Sequence, residues 1–385
     1  MRRKFRMPRV KVSTNKVTGL TEAIYPGGTN VAVSCGNFFG KKEREPVVWD
    51  AIGAGLLIVA MQLVFWCEVC EHVAAEDPKG LPPLLIWYNL AMSTHSDRPD
   101  FIDIHAHVNF EAFNEDRGEV VDRTLAANTW MINVGTQQDT SKSAVDLAHK
   151  YDKGIYAIVG LHPVHTAPSY HDEKELGEGG KAFTSRGEQF DFEYYKSLAS
   201  DSKVVAIGEC GLDYYHLDDD SVAKQKEAFI KAIEVANEVG KPLMLHIRNG
   251  LPDASGVTRS AYKEAVEILK AYAKVKGNAH FFAGTWEEAS LFLDMGFTLS
   301  FTGAITYAPK AGMPDYADVI RRAPLDMIMT ETDCPYVSPI PYRGKRNEPL
   351  YVQEVVKKIA EIKGLPFDEV KKAMVENVFR FFNLK

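Results

Sequence analysis

Four histidines and two carboxylates lie far apart in this chain, each where a short apolar run stops. They are His105 and His107 in F-I-D-I-H-A-H, Glu209 in V-V-A-I-G-E-C-G-L-D-Y-Y, and His246 in K-P-L-M-L-H-I-R. His280 in N-A-H-F-F-A-G-T and Asp333 in M-I-M-T-E-T-D-C-P-Y complete the set. Neutral imidazole plus carboxylate is the ligand chemistry of catalytic divalent-metal sites. Residues at the ends of successive parallel strands converge in space however distant they are in sequence. A metal-dependent enzyme is therefore the leading expectation.

Each residue also has a plainer reading. His105 and His107 share one face of a strand, as residues i and i+2 do, but two ordinary half-buried histidines would show the same spacing. Glu209 follows the apolar run Val204–Ile207 and Gly208. A buried carboxylate there is costly unless paired or metal-bound, and a salt bridge would also satisfy it. Its two oxygens can bridge two ions about 3.5–4 Å apart, a task histidine performs poorly. His246 and His280 each close an apolar run, where a core histidine is the alternative. Asp333 is expected as a metal ligand or general base. Glu331 shares its face only if the backbone stays extended, and Cys334-Pro335 signals a turn. His162, in G-L-H-P-V-H, ends the third run and is placed to reach a scissile group. Arg248 follows His246 by two residues and suits a phosphate, because its fork binds two oxygens. Arg343, Lys345 and Arg346, in P-Y-R-G-K-R-N-E-P, form a basic loop expected to hold substrate phosphate. A solvated surface loop is the plainer account of that segment.

The elements that must position these groups become regular from Phe101 onward. Strands are expected at Phe101–Ile104, Trp130–Val134, Ile155–Val159, Val204–Ile207, Leu243–His246, Ala279–Phe281, Thr298–Phe301 and Met327–Met329. Amphipathic helical stretches alternate with them, clearest over Ser221–Val239, where Phe229, Ile233 and Ala236 recur at helical spacing. Lys241-Pro242 ends that helix. Eight strands alternating with helices match a TIM-type (β/α)8 barrel over residues 100–385. An open doubly wound sheet is the alternative, but the Gly-rich loop it often carries after its first strand is replaced by H-A-H. The stretch Ala167–Glu188 is expected as a long surface loop at the barrel mouth.

Residues 1–99 form an extension of unassigned structure. Its start is basic, with no acid before Glu22. The apolar run Ala51–Cys67 has 17 residues, at the short edge of the roughly 17–25 needed to span a membrane. A membrane anchor, a buried helix of a small appended region and a targeting segment are all open for it. Cys67-x-x-Cys70 with His72 is a weak zinc signal. Five cysteines in 385 residues do not resemble a secreted disulfide framework. The cytoplasm is the expected location, with membrane-tethered or organellar placement as alternatives. A net charge of -7 argues against bulk electrostatic nucleic-acid binding but leaves room for a local basic groove.

The segments I-D-I-H-A-H, V-G-L-H-P, V-A-I-G-E-C-G-L-D-Y-Y, K-P-L-M-L-H-I-R, H-F-F-A-G-T and E-T-D-C-P-Y-V-S-P-I-P-Y-R-G-K-R-N-E-P together resemble the TatD family of metal-dependent deoxyribonucleases. The resemblance runs in unbroken order from about Phe101 to the closing E-N-V-F-R-F-F. It implies two divalent ions, Mg, Mn or Zn, and no organic cofactor. By the resemblance, His105, His107, Glu209 and Asp333 hold one ion, and Glu209, His246 and His280 the other. It implies hydrolysis of DNA phosphodiesters, at single-stranded regions or ends, as a 3′-to-5′ exonuclease. A barrel hydrolase of esters or amides, such as an aminoacyl-tRNA deacylase, is the first alternative. A non-catalytic nucleic-acid-binding barrel is the second. Relatives that bridge their metals with a modified lysine would need one at the fourth strand's end, where this chain has Glu209. H-F-F-A-G stands where the family usually has H-C-F-T-G, and Ala167–Glu188 is longer than usual.

Overall fold

The computed structural model describes residues 98–168, 186–215, 219–252, 256, 258–309 and 315–384, together with five short strands elsewhere. The chain divides into two units, Met1–Met92 and Ser93–Lys385. In the first, Lys11–Thr14, Leu20–Ile24 and Asn30–Ser34 pair as an antiparallel sheet with Leu20–Ile24 in the middle. The apolar run Ala51–Cys67 and the Cys67/Cys70 pair lie outside the described residues. Among the described residues, no helix is long and apolar enough to cross a membrane.

The main sheet of the second unit has eight strands: β1 (Phe101–Ala106), β2 (Thr129–Val134), β3 (Ile155–Val159), β4 (Val204–Asp213), β5 (Leu243–Arg248), β6 (Gly277–Ala279), β7 (Thr298–Phe301) and β8 (Ile328–Thr330). They pair in chain order, every neighbour parallel. Past β8, a parallel bridge between Ala106 and Cys334 brings the last strand's chain back to β1. His105 O accepts from Asp333 N at 2.8 Å, and His107 N donates to Cys334 O at 2.9 Å. Among the described residues, seven α-helices follow the first seven strands: α1 (Arg117–Ala126), α2 (Gln138–Ala148), α3 (Phe192–Ala199), α4 (Asp219–Val239), α5 (Ala261–Tyr272), α6 (Trp286–Asp294) and α7 (Tyr316–Arg322). Two more, α8 (Val352–Lys363) and α9 (Phe367–Phe382), end the chain. This is the expected TIM-type barrel.

Strand alternation divides the core in two. Phe101, Met131, Val159, Ile207 and Leu245 pack outward against helix residues such as Phe229 and Ile233 of α4. Ile102, Ile104, Ile132, Ile158, Met244 and Met329 face the other way and fill the barrel. Val375, Val378 and Phe379 of α9 join that inner cluster and cover one end of it.

Two bulges break the alternation where the chemistry lies. In β1, three steps from Asp103 to Ala106 oppose two from Met131 to Asn133. In β4, three steps from Ile207 to Cys210 oppose two from Leu243 to Leu245. A bulge adds one residue and so reverses which side the following residues face. His105, out of phase with Ile102 and Ile104, is thereby turned inward, and Glu209, in phase with outward Ile207, follows suit. β4 runs on to Asp213, six residues beyond the expected end at Ile207, so Glu209 lies within a strand and not after one. Gly211 permits that continuation: it sits at φ 142°, and a Cβ there would collide with the His246 carbonyl. The stretch Ala167–Glu188 carries a short antiparallel pairing of Tyr170–His171 with Phe183–Thr184; most of its other residues are outside the described set.

Candidate metal centre

Glu209 is the hub. Its Oε2 lies 3.4 Å from His105 Nε2 and 4.0 Å from His107 Nε2. Its Oε1 lies 2.9 Å from both His246 Nδ1 and His280 Nε2, and 3.4 Å from His162 Nε2. One carboxylate thus presents a different oxygen to each of two histidine groups. Asp333 closes the first group, with Oδ1 at 3.3 Å from His107 Nε2 and 3.8 Å from His105 Nε2. Asp333 reaches that position because the chain has left β8 and turned, with φ 56° at Asp333 itself. All seven side chains named here are buried or nearly so.

Surrounding groups hold the rings in defined orientations. Val134 O accepts from His107 Nδ1 at 2.9 Å, which leaves Nε2 with its lone pair toward Asp333 and Glu209. Asp213 Oδ2 sits 2.9 Å from His246 Nε2 and accepts from it, which turns Nδ1 toward Glu209 Oε1. His162 Nδ1 accepts from Val164 N at 3.2 Å, which places the neutral ring's proton on Nε2. Glu331 Oε1 accepts from Phe281 N at 2.5 Å and Oε2 from Ser300 Oγ at 2.7 Å, fixing a carboxylate 3.6 Å from His280 Nδ1. Asp103 accepts from His105 N and from both the amide and hydroxyl of Thr332, tying β1 to the segment that carries Asp333.

The electrostatics follow from burial and crowding. Burial, then the neighbouring His280, lowers His105. Burial, then His246, lowers His162 to about 4, so that it is neutral near pH 7. Burial alone would raise Glu209, but His162, His280 and His105 outweigh it and hold the carboxyl well below its usual range. Asp213 is likewise held at about 2, its burial overcome by His246. For His246 and His280 burial favours the neutral ring, yet the adjacent carboxylates win and raise both.

These residues fit a divalent-metal group. Neither ring nitrogen of fully buried His105 has a hydrogen-bond partner among the described residues, nor does His280 Nδ1. A buried polar atom left so is costly, and a cation between the His105 and Glu209 side chains would give His105 Nε2 a partner. Three sets are close enough to share an ion: His105/Glu209/His280, His105/His107/Asp333 and His162/Glu209/His246.

The structure separates the expected substrate-binding cations. Arg248 lines the cavity above the cluster, stacked on Tyr215 at 3.6 Å. Arg343, Lys345 and Arg346 do not line it. Arg346 is committed elsewhere, its two Nη atoms 2.8 and 2.6 Å from the oxygens of Asp116. Arg343 lies over the Tyr307 ring at 4.3 Å, and Lys345 is exposed. Sequence reasoning passed over Asp213. Its signal was its position four residues beyond Glu209, on the same face of one continuous strand.

A parallel barrel with imidazoles and carboxylates gathered at its strand ends defines a metallo-dependent hydrolase. The family described as TatD related DNase matches residues 102–383, and the chain belongs to that family. It is 36% identical over 283 residues to the uncharacterized metal-dependent hydrolase YabD of Bacillus subtilis, covering 73% of this chain and 98% of that one. It is 29% identical over 287 residues to the uncharacterized metal-dependent hydrolase YcfH of Escherichia coli K12, covering 74% and 96%. The crystal structure of YjjV, a TatD homologue from Escherichia coli K12, superposes with a TM-score of 0.58 at 25% identity, covering 74% of this chain and 99% of that one.

Proposed function

We propose that this metal-dependent hydrolase cleaves phosphodiester bonds in DNA, at single-stranded ends, with two divalent ions of Mg, Mn or Zn. The observation that carries the reading is the division of Glu209, one oxygen toward His105 and His107 and the other toward His246 and His280. His105, His107, Glu209 and Asp333 would hold one ion, and Glu209, His246 and His280 the other. When bound, such ions supply Lewis-acid polarisation of a phosphate and make a water acidic near neutral pH. The protein's own groups do the rest. Asp333, whose Oδ1 is turned to the two histidines, would accept the proton of the attacking water through its other oxygen. His162, neutral and carrying its proton on Nε2, would donate a hydrogen bond, not a proton, to a phosphate or leaving oxygen. Arg248 neutralises charge at the mouth. Positioning and electrostatics carry such reactions, because the phosphoryl group needs little covalent help.

The test is hydrolysis of end-labelled single-stranded DNA with Mg²⁺ or Mn²⁺, with chelator as control. A ladder shortening from the 3′ end, lost with His105→Ala and Asp333→Asn, is the expected result. Metal-loaded protein that leaves DNA intact but deacylates aminoacyl-tRNA refutes the reading.

A further inference from the structure

The cavity over the cluster has a volume of about 730 Å³, within the range of about 300–1,000 Å³ typical of small-ligand sites. That is room for a nucleotide or two and not for a duplex. Among the described residues lining it, Arg248 is the one lysine or arginine. A run of backbone phosphates demands a track of cations; a lone guanidinium suits one phosphate.

Beyond the histidines and carboxylates of the centre, much of the wall is apolar and aromatic. Phe110 stacks on His107 at 4.4 Å, and Phe281, Tyr336 and Ile247 continue the lining. The Arg248 guanidinium lies 3.6 Å from the centre of the Tyr215 ring. Arg248 is two residues beyond His246 on β5, so it shares that face and stands one step nearer solvent. Leu251 is 59% exposed at the rim. The other exposed large apolar side chains among the described residues, Tyr272 and Ile340, lie away from the cavity. Leu251 thus lines the same cavity as a guanidinium held over a phenol ring, and such apolar and π surfaces are the kind on which a nucleobase stacks.

We propose that Tyr215, Arg248 and Leu251 form a base-stacking subsite beside the scissile phosphate, so that the mouth receives a single-strand end one nucleotide at a time. The subsite rests on the phosphodiesterase reading and adds to it the feature that selects the substrate. The guanidinium edge faces the phosphate, while its plane and the leucine face the base. Stacking tolerates every base, because each has a π-face.

Two oligonucleotides test this, one intact and one with an abasic tetrahydrofuran residue at the cleaved end. Metal-loaded wild-type protein should prefer the intact end by about 5- to 150-fold in kcat/KM, the range that stacking of one base supplies. Tyr215→Ala and Leu251→Ser should each reduce that preference about fivefold or more. Leu251 is exposed, so its variant keeps the test alive if Tyr215→Ala fails to fold. Equal cleavage of both substrates by wild type, or a preference unchanged in the variants, overturns the subsite alone. No cleavage of either substrate overturns the nuclease reading and the subsite with it.

Discussion

Replacing Arg248 and Arg346 separately by alanine should produce two different kinds of defect, although both were expected from sequence to hold phosphate. Arg248 lines the mouth, and its guanidinium forms no ion pair among the described residues. Each phosphate neutralised on a single strand contributes a slope of about −0.7 to log K against log salt. Arg248→Ala should therefore flatten that dependence by about 0.7, read as kcat/KM on a fluorescent single-stranded substrate between about 50 and 200 mM KCl. Arg346 makes two charge-assisted hydrogen bonds to Asp116 and a third to Ala112 O at 2.8 Å. Both partners of the pair are partly wet, with side-chain exposures of 29% and 30%. Solvent screening reduces their worth, so Arg346→Ala should cost about 1–2 kcal/mol of unfolding free energy in urea. Its salt slope should match the wild type. The reverse outcome, a flattened slope for Arg346→Ala and an unchanged one for Arg248→Ala, would refute this division of roles.

Two further outcomes are expected. Asp213→Ala frees His246 Nε2 and lets the ring choose its tautomer, which should weaken Mn²⁺ or Zn²⁺ binding about 10- to 100-fold in equilibrium dialysis; unchanged affinity would show that Asp213 does not orient the ring. Glu264 tests the pH dependence of stability away from the centre. Burial pushes it up, but Arg259, Lys226 and Tyr214 hold it at about 2, against an ordinary 4.5. A depressed carboxyl stabilises the fold fully above pH 4.5, and the contribution is lost as pH falls toward 2. Its side chain is 24% exposed, which discounts the effect to about 1–2 kcal/mol. Glu264→Gln should lower stability at pH 7 and decline less steeply to pH 3 in urea titrations. Parallel wild-type and variant profiles would remove Glu264 from the account.

Much of the centre was legible along the chain because a barrel converts strand ends into one place. His246 and His280 needed only the alternation of β5 and the end of β6 to be located. His105 and Glu209 were recognisable by type, but not by phase. Simple alternation from Ile102 and Ile104, or outward from Ile207, would have turned both away from the barrel. The bulges that reverse them arise from pairing with β2 and β5, and a single strand carries no record of its partner's register. The pairing of Arg346 was hidden for a similar reason: its partner Asp116 lies 230 residues earlier.

By itself, the sequence determined the chemical class and the architecture. Apolar runs of strand length, alternating with amphipathic helices, permit few ways to bury their surface, and imidazoles and carboxylates at run ends state the ligand chemistry. Tertiary structure alone decided which oxygen of Glu209 faces which histidines and that Asp213 and Glu331 orient the rings. It also decided that Arg248, and not the later basic loop, stands at the mouth. These are properties of distance and direction between segments far apart in the chain, set by strand register and side-chain packing.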